Sequence, residues 1–173
     1  PGDDISVVES LTAVGVLRET LGHAAEAEPL LQEALEMSQQ LFAGDHLTVA
    51  RGMSNLAHVR QSLGKTAELE SLLQRSLEMM RRLEPGDDPG VAAALNNLAF
   101  ARRAAGDAAG AEKLFREGLE MNRRLHPGDS PATAFSLNNV AAAQKALGRL
   151  TDAEVRYRDA LAMWRRLYTE DHP

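Results

Sequence analysis

The chain repeats itself at a fixed interval. At a spacing of 42 residues, Gly22, Gly64, Gly106 and Gly148 fall into register without a gap, as do Glu28, Glu70, Glu112 and Glu154. Leu35, Leu77, Leu119 and Leu161 follow, then Met37, Met79, Met121 and Met163, then Leu41, Leu83, Leu125 and Leu167. Asp3, Asp45, Asp87, Asp129 and Asp171 open successive units. A period of this length makes each unit one supersecondary element, stable only when a neighbour covers its apolar face. A single domain over residues 1–173 is expected, with repeats at about 2–43, 44–85, 86–127 and 128–169 and residues 170–173 starting a further one. The initial Pro1 reads as the start of a fragment whose targeting signal, if any, has been lost.

Each unit reads as two helices. In the third, Val91, Leu95, Leu98, Ala99, Arg102 and Ala105 recur at spacings of three and four, an amphipathic stripe. Asp88-Pro89 and Ser130-Pro131 supply a capping side chain followed by proline at the first helical position. Gly106 ends the first helix, since glycine enters a positive φ without steric cost. The second helix carries Ala111, Phe115, Gly118, Leu119 and Leu125, and its counterpart in the fourth unit carries Ala153, Tyr157, Ala160, Leu161, Trp164 and Leu167. Arg123-Arg124 and Arg165-Arg166 fall in last turns, where cations complement the helix dipole. No useful length shows strand-type alternation. An all-α fold of eight helices in four antiparallel pairs is expected.

Composition removes whole classes of function. The net charge of −6 argues against a partner surface of nucleic acid or anionic membrane. The longest apolar run, Val91–Leu95, is far too short to span a bilayer. Without cysteine there are no disulfides and no thiolate chemistry. No HExxH run, P-loop or dinucleotide fingerprint occurs. His46, His126 and His172 fall in turns between units and His23 in a turn within one, where capping is their ordinary use. Asp3-Asp4 and Asp87-Asp88 precede helices, so they read as caps rather than metal ligands. No enzyme, no metal and no cofactor are expected, and the expected compartment is the cytoplasm.

The run Leu95-Asn96-Asn97-Leu98-Ala99, then Gly106, Ala111-Glu112, Phe115 and Gly118-Leu119, resembles a tetratricopeptide repeat. The 42-residue period, the Leu-Asn-Asn-Leu-Ala core and the closing Asp171-His172-Pro173 resemble its kinesin-light-chain subclass. The resemblance covers the whole chain. It implies a right-handed α-solenoid of four helix-turn-helix repeats, a protein–protein interaction scaffold whose concave groove, lined by the first helices, binds an extended peptide or partner segment. Three departures stand out. Arg18, Arg60, Arg102 and Gln144 replace the large aromatic near the end of the first helix; Leu69 replaces a small residue early in the second; and the first unit has Leu11-Thr12-Ala13-Val14-Gly15 where the others carry Asn.

Columns then sort into structure and function. Ala27, Ala111 and Ala153 allow close helix approach, and the Met, Leu35 and Leu41 columns read as core. Arg18, Arg60 and Arg102 are expected to meet the Glu28, Glu70 and Glu112 column ten residues on, with Gln144 bonded to Glu154; the alternative sends each guanidinium to water over a buried stem. The candidate groove residues are Asn55, Asn97 and Asn139, with Ser54, Asn96 and Asn138 beside them. An amide offers donors and an acceptor, so it can hold a peptide backbone without reading its sequence. The alternative is that one Asn of each pair bonds helix backbone in the neighbouring repeat.

Helical spacing adds Arg51, Ala93 and Phe135, then His58, Phe100 and Ala142, then Gln61, Arg103 and Lys145. The first unit contributes Glu9, Val16 and Glu19, so the groove is expected to be acidic at its start and basic later. The implied partner brings acidic residues to Arg51, Arg103 and Lys145 and an apolar side chain to Phe100 or Phe135. A second reading is self-assembly, with the helix around Tyr157, Leu161 and Trp164 stacking head-to-tail on Pro1–Leu21 of another molecule. A third makes the chain the regulatory arm of a larger multidomain protein.

Overall fold

The computed structural model describes residues 2–66 and 68–168, with side chains from residue 4 onward. Asp171-His172-Pro173 and the side chain of Asp3 lie outside the described residues. The expected helices are present: α1 (Gly2–Thr20), α2 (Ala24–Leu41), α3 (Leu47–Ser62), α4 (Leu69–Leu83), α5 (Pro89–Ala104), α6 (Ala108–Leu125), α7 (Pro131–Ala146) and α8 (Leu150–Leu167). No strand occurs among the described residues. The chain divides into two compact units, Pro1–Pro85 with α1 to α4 and Gly86–Pro173 with α5 to α8.

The helix ends follow the local chemistry. Asp88 accepts a hydrogen bond from the Val91 amide at 2.9 Å and Ser130 one from Thr133 at 3.1 Å, each with proline at the first position. His46 Nδ1 accepts from the Thr48 amide at 3.2 Å, the capping use expected of a turn histidine. At the end of α5, Gly106 takes φ 90°, and the amides of Gly106 and Asp107 fold back to the carbonyls of Arg103 and Arg102.

Within each unit every helix packs on the next in sequence. Leu31 and Leu35 of α2 share the first core with Met53 and Leu56 of α3 and Leu73 and Leu77 of α4. In the second, Leu95 and Leu98 of α5 meet Phe115 and Leu119 of α6 and Leu137 and Val140 of α7. Each such side chain contributes about 1.5–3 kcal/mol by leaving water. Two columns depart from the core expectation. Leu41, Leu83, Leu125 and Leu167 are half-buried, because they lie at helix ends where no further turn covers them. In the Met column Met121 is buried and Met37, Met79 and Met163 are half-buried.

Leu69 marks the place where the second pair departs from the others. It is buried in the slot that Ala27 and Ala111 occupy, and α4 begins at Leu69 itself, three positions later than α2, α6 and α8 in the repeat frame. Glu68 before it holds φ 64°, a left-handed conformation that a side chain rarely adopts.

A fastener recurs in repeats two to four. Arg82 donates to both oxygens of Asp45 at 2.5 and 3.0 Å, Arg124 to both of Asp87 at 2.7 Å, and Arg166 to both of Asp129 at 2.5 and 2.9 Å. Each guanidinium ties the end of its repeat's second helix to the loop that opens the repeat. These hydrogen bonds hold all three carboxyls below the usual carboxylate range. In the first repeat Gln40 takes the arginine position.

Candidate functional site

The first helices present the stripes that helical spacing predicts. On α3, Arg51 and His58 are exposed and Ser54 and Asn55 half-buried. On α5, Arg103 is exposed and Asn96, Asn97 and Phe100 half-buried. On α7, Phe135 and Lys145 are exposed and Asn138 and Asn139 half-buried. None of the twelve candidates is buried.

Several are joined directly. Asn139 donates to the Asn96 side-chain oxygen at 3.5 Å, so the two amide columns meet across α5 and α7. Asn96 also lies over Gly118 of α6. This contact between repeats runs from side chain to side chain. In the first unit the Ser54 and Ser76 hydroxyls stand 2.9 Å apart, and Ser76 donates to the Ala50 carbonyl at 2.7 Å. One member of each pair therefore faces neighbouring helices.

The aromatics are anchored at their inner edges. Phe100 packs edge-on against Phe115 at 5.0 Å, and the Arg103 guanidinium lies 5.4 Å over its ring. Phe135 remains 61% exposed while its edge meets Trp164 at 5.0 Å, and Trp164 stacks on Tyr168 at 5.5 Å. This aromatic row had a readable signal: in an antiparallel pair, the start of α7 lies beside the end of α8.

The charged columns need two corrections. Arg60 reaches Glu28 of the preceding repeat at 3.4 Å, Gln32 at 3.2 Å and Glu68 of its own repeat at 3.5 Å, while Arg18 reaches Glu26 at 3.3 Å. For Arg18 and Arg60 the partner within the repeat therefore stands eight residues on, not ten. The Glu28 column instead faces the following repeat: Lys65 meets Glu28 at 2.5 Å, and Arg149 pairs with Glu112. The Lys65 hydrogen bond, aided by Arg60, lowers the Glu28 carboxyl below its ordinary range. Secondly, Gln144 does not bond Glu154. Gln144 Oε1 is buried without a partner, and Glu154 pairs with Arg158 at 2.6 Å.

Charge on the first helices is sharply segregated. α3, α5 and α7 contain no Asp or Glu, whereas α1 contains Asp3, Asp4, Glu9 and Glu19. Glu19 is engaged, since His58 Nδ1 lies 2.5 Å from its carboxylate and Ser62 donates to it at 3.2 Å. Among the described residues no three His, Asp or Glu side chains are gathered for a metal ion, and no helix is long and apolar enough to cross a membrane.

The tetratricopeptide repeat profile matches the sequence three times in overlapping register, over residues 6–82, 48–124 and 90–166. The chain belongs to the tetratricopeptide repeat family. Members of this family mediate protein–protein interactions. BtubC (BKLC) from P. vanneervenii is similar in structure, with a TM-score of 0.85 at 24% identity over 96% of this chain. The match spans 66% of that protein's chain, just under two thirds of its length. Nearly identical TPR-like repeats assigned to a kinesin light chain of Podosopora anserina give a TM-score of 0.85 at 20% identity, covering 96% of this chain and 79% of theirs. A substituted form of those repeats gives the same score at 19% identity, covering 96% of this chain and 78% of theirs. These neighbours share the fold of kinesin-light-chain-like repeats. The comparison with curated proteins finds no match.

Proposed function

We propose that the chain acts by binding, not catalysis, and that the first-helix stripes hold an extended acidic segment of a partner protein, the four repeats serving as one domain. The observation that carries this reading is the absence of carboxylates from α3, α5 and α7 in a chain of net charge −6. Apart from α1, the helices that carry acidic residues are the second ones of each pair, so the stripes of α3, α5 and α7 stand out as neutral to basic. Within the second unit, Asn97 supplies amide donors and an acceptor for peptide backbone, and Arg103 and Lys145 supply cations for acidic side chains. Phe135 offers an exposed ring backed by Trp164, the kind of rigid aromatic that anchors a partner's apolar side chain. In the first unit Arg51 and Asn55 extend the same chemistry, while His58 is already occupied by Glu19.

Panning a random peptide library on the 173-residue chain tests this with no partner chosen in advance. Enriched peptides are expected to carry Asp or Glu around an apolar residue. Arg103→Glu with Lys145→Glu should weaken the selected peptides about tenfold or more, and Asn55, Asn97 and Asn139 changed together to Ala should do likewise. Peptides with no acidic bias, or affinities indifferent to both variants, would remove the proposal.

A further inference from the structure

Among the described carboxylates of the first helices, Glu19 alone is drawn inward; Asp4 and Glu9 are exposed. Its side chain is 13% exposed, and its Oε1 atom lies 2.5 Å from His58 Nδ1 and accepts from the Ser62 hydroxyl at 3.2 Å. Ser62 Oγ also stands 3.3 Å from the His58 carbonyl, so the carboxylate is held against the last turn of α3. The imidazole lies outside it, 64% exposed. An ordinary surface pair leaves both members open, as His23 and Glu26 do at 3.0 Å, with 49% and 57% exposure. The Glu19 pair differs: the anion is fixed and shielded, and the ring it holds faces water.

Two acceptors 2.5 Å apart would repel, so the ring nitrogen facing Glu19 is the one that carries hydrogen. Glu19 takes that nitrogen and leaves the other: Nε2 has no partner among the described residues. In a neutral ring Nε2 accepts, and in a protonated ring it donates. His46 is arranged the other way, since its Nδ1 accepts from the Thr48 amide. We infer that Glu19 is a positioning residue for a ligand contact at His58, whose protonated Nε2 donates to a carboxylate of the bound segment. The assignment rests on the first-helix stripes holding an acidic segment, and it gives His58 a part in that site. Where the ring starts neutral, forming the contact takes one proton from water. Other charged groups at this end of the unit are directed elsewhere. Arg18 of α1 meets Glu26 of α2, Arg60 of α3 meets Glu28 of α2 and Glu68 before α4, and Lys65 meets Glu28. Arg51 and Asn55 share the stripe of α3 with His58 at helical spacing, so a segment lying along α3 meets all three.

Nitrogen-15 NMR of the 173-residue chain, with hexaglutamate as the probe, tests this. At pH about 8, above the usual histidine titration, His58 is expected to carry its hydrogen on Nδ1 and His46 on Nε2. Glu19→Ala should spread the His58 hydrogen over both nitrogens, and Glu19→Gln, which keeps an acceptor of the same reach, should restore Nδ1. At pH about 5.5 hexaglutamate should shift His58 Nε2 and bind about threefold more tightly than at pH about 8. His58→Gln should remove most of that pH dependence. A His58 hydrogen on Nε2, or a pH dependence that survives His58→Gln, overturns the inference. So does a His58 ring that ignores hexaglutamate while the amides around Arg103 and Lys145 respond, and that result leaves the acidic-segment reading standing. No response at either place removes both.

Discussion

The second and third helix pairs are written in one pattern, yet their second helices begin a turn apart. α6 starts at Ala108 and runs 18 residues; α4 starts at Leu69 and runs 15. The buried slot between the helices of the third pair holds Ala111, and in the second pair it holds Leu69. Asp107 caps α6 through the Gly110 amide at 2.8 Å, whereas α4 opens after Glu68 at φ 64° with no side-chain cap. The difference teaches that a helix start can shift by a turn while the period around it is kept, here where both the residue in the close-approach column and the cap are changed.

The comparison is most open to attack in the core. Phe115 and Leu73 occupy one column, and both are buried. Phe115→Ala should cost about 3–5 kcal/mol in urea unfolding, and Leu73→Ala about 2 kcal/mol, the lower end for a leucine. A larger loss at Leu73 than at Phe115 would mean that the second pair is the tighter one. Next in size is Ala111→Leu, which places in the third pair the residue found in the second. Overpacking there should cost about 1–3 kcal/mol and lower amide protection in the first turn of α6. Full protection in that turn would separate the delayed start of α4 from Leu69.

Smaller effects sharpen the contrast. Glu68→Gly relieves a left-handed residue while making the unfolded chain more flexible, and a net gain of about 0.5 kcal/mol is expected. The opposite kind of change, Gly106→Ala, should destabilise, since that position also has positive φ. The smallest effect belongs to a feature both pairs share. Asp45 and Asp87 have lowered pKa values in the fold because Arg82 and Arg124 donate to them. Their stabilisation is fully present above the ordinary carboxylate pKa of about 3.9 and fades as pH falls through the lower folded values. Urea midpoints should therefore drop slightly in strong acid, and Asp45→Asn with Asp87→Asn should flatten that acid dependence.

Much of this was legible in the residues. The caps at Asp88 and Ser130, the stop at Gly106 and the stripe through Arg51, Asn55 and His58 follow from local rules, because capping and helical spacing act over a few residues. The register of the charged columns was not legible. Arg60 and Glu28 are 32 residues apart, and which repeat supplies an arginine's partner depends on how two helix pairs lie together. The fasteners from Asp45 to Arg82 and from Asp87 to Arg124 left a trace as two columns at constant separation, but chemistry at that separation becomes a contact only once the pair has closed. Leu69 was visible as an exception, and the helix begun one turn late beside it was not.

By itself the sequence determined the repeat length, the helix pairs, the capped starts of α5 and α7 and the stop at Gly106. These depend on periodicity and on backbone chemistry at glycine, proline and capping side chains, which neighbours in sequence decide. Only the tertiary structure decided that Asn139 reaches Asn96, that Glu19 claims His58 and that Glu28 serves the repeat after its own. Side-chain reach across a helix interface is a matter of a few ångströms, and identical letters at a constant interval do not say which of two nearby groups comes within it.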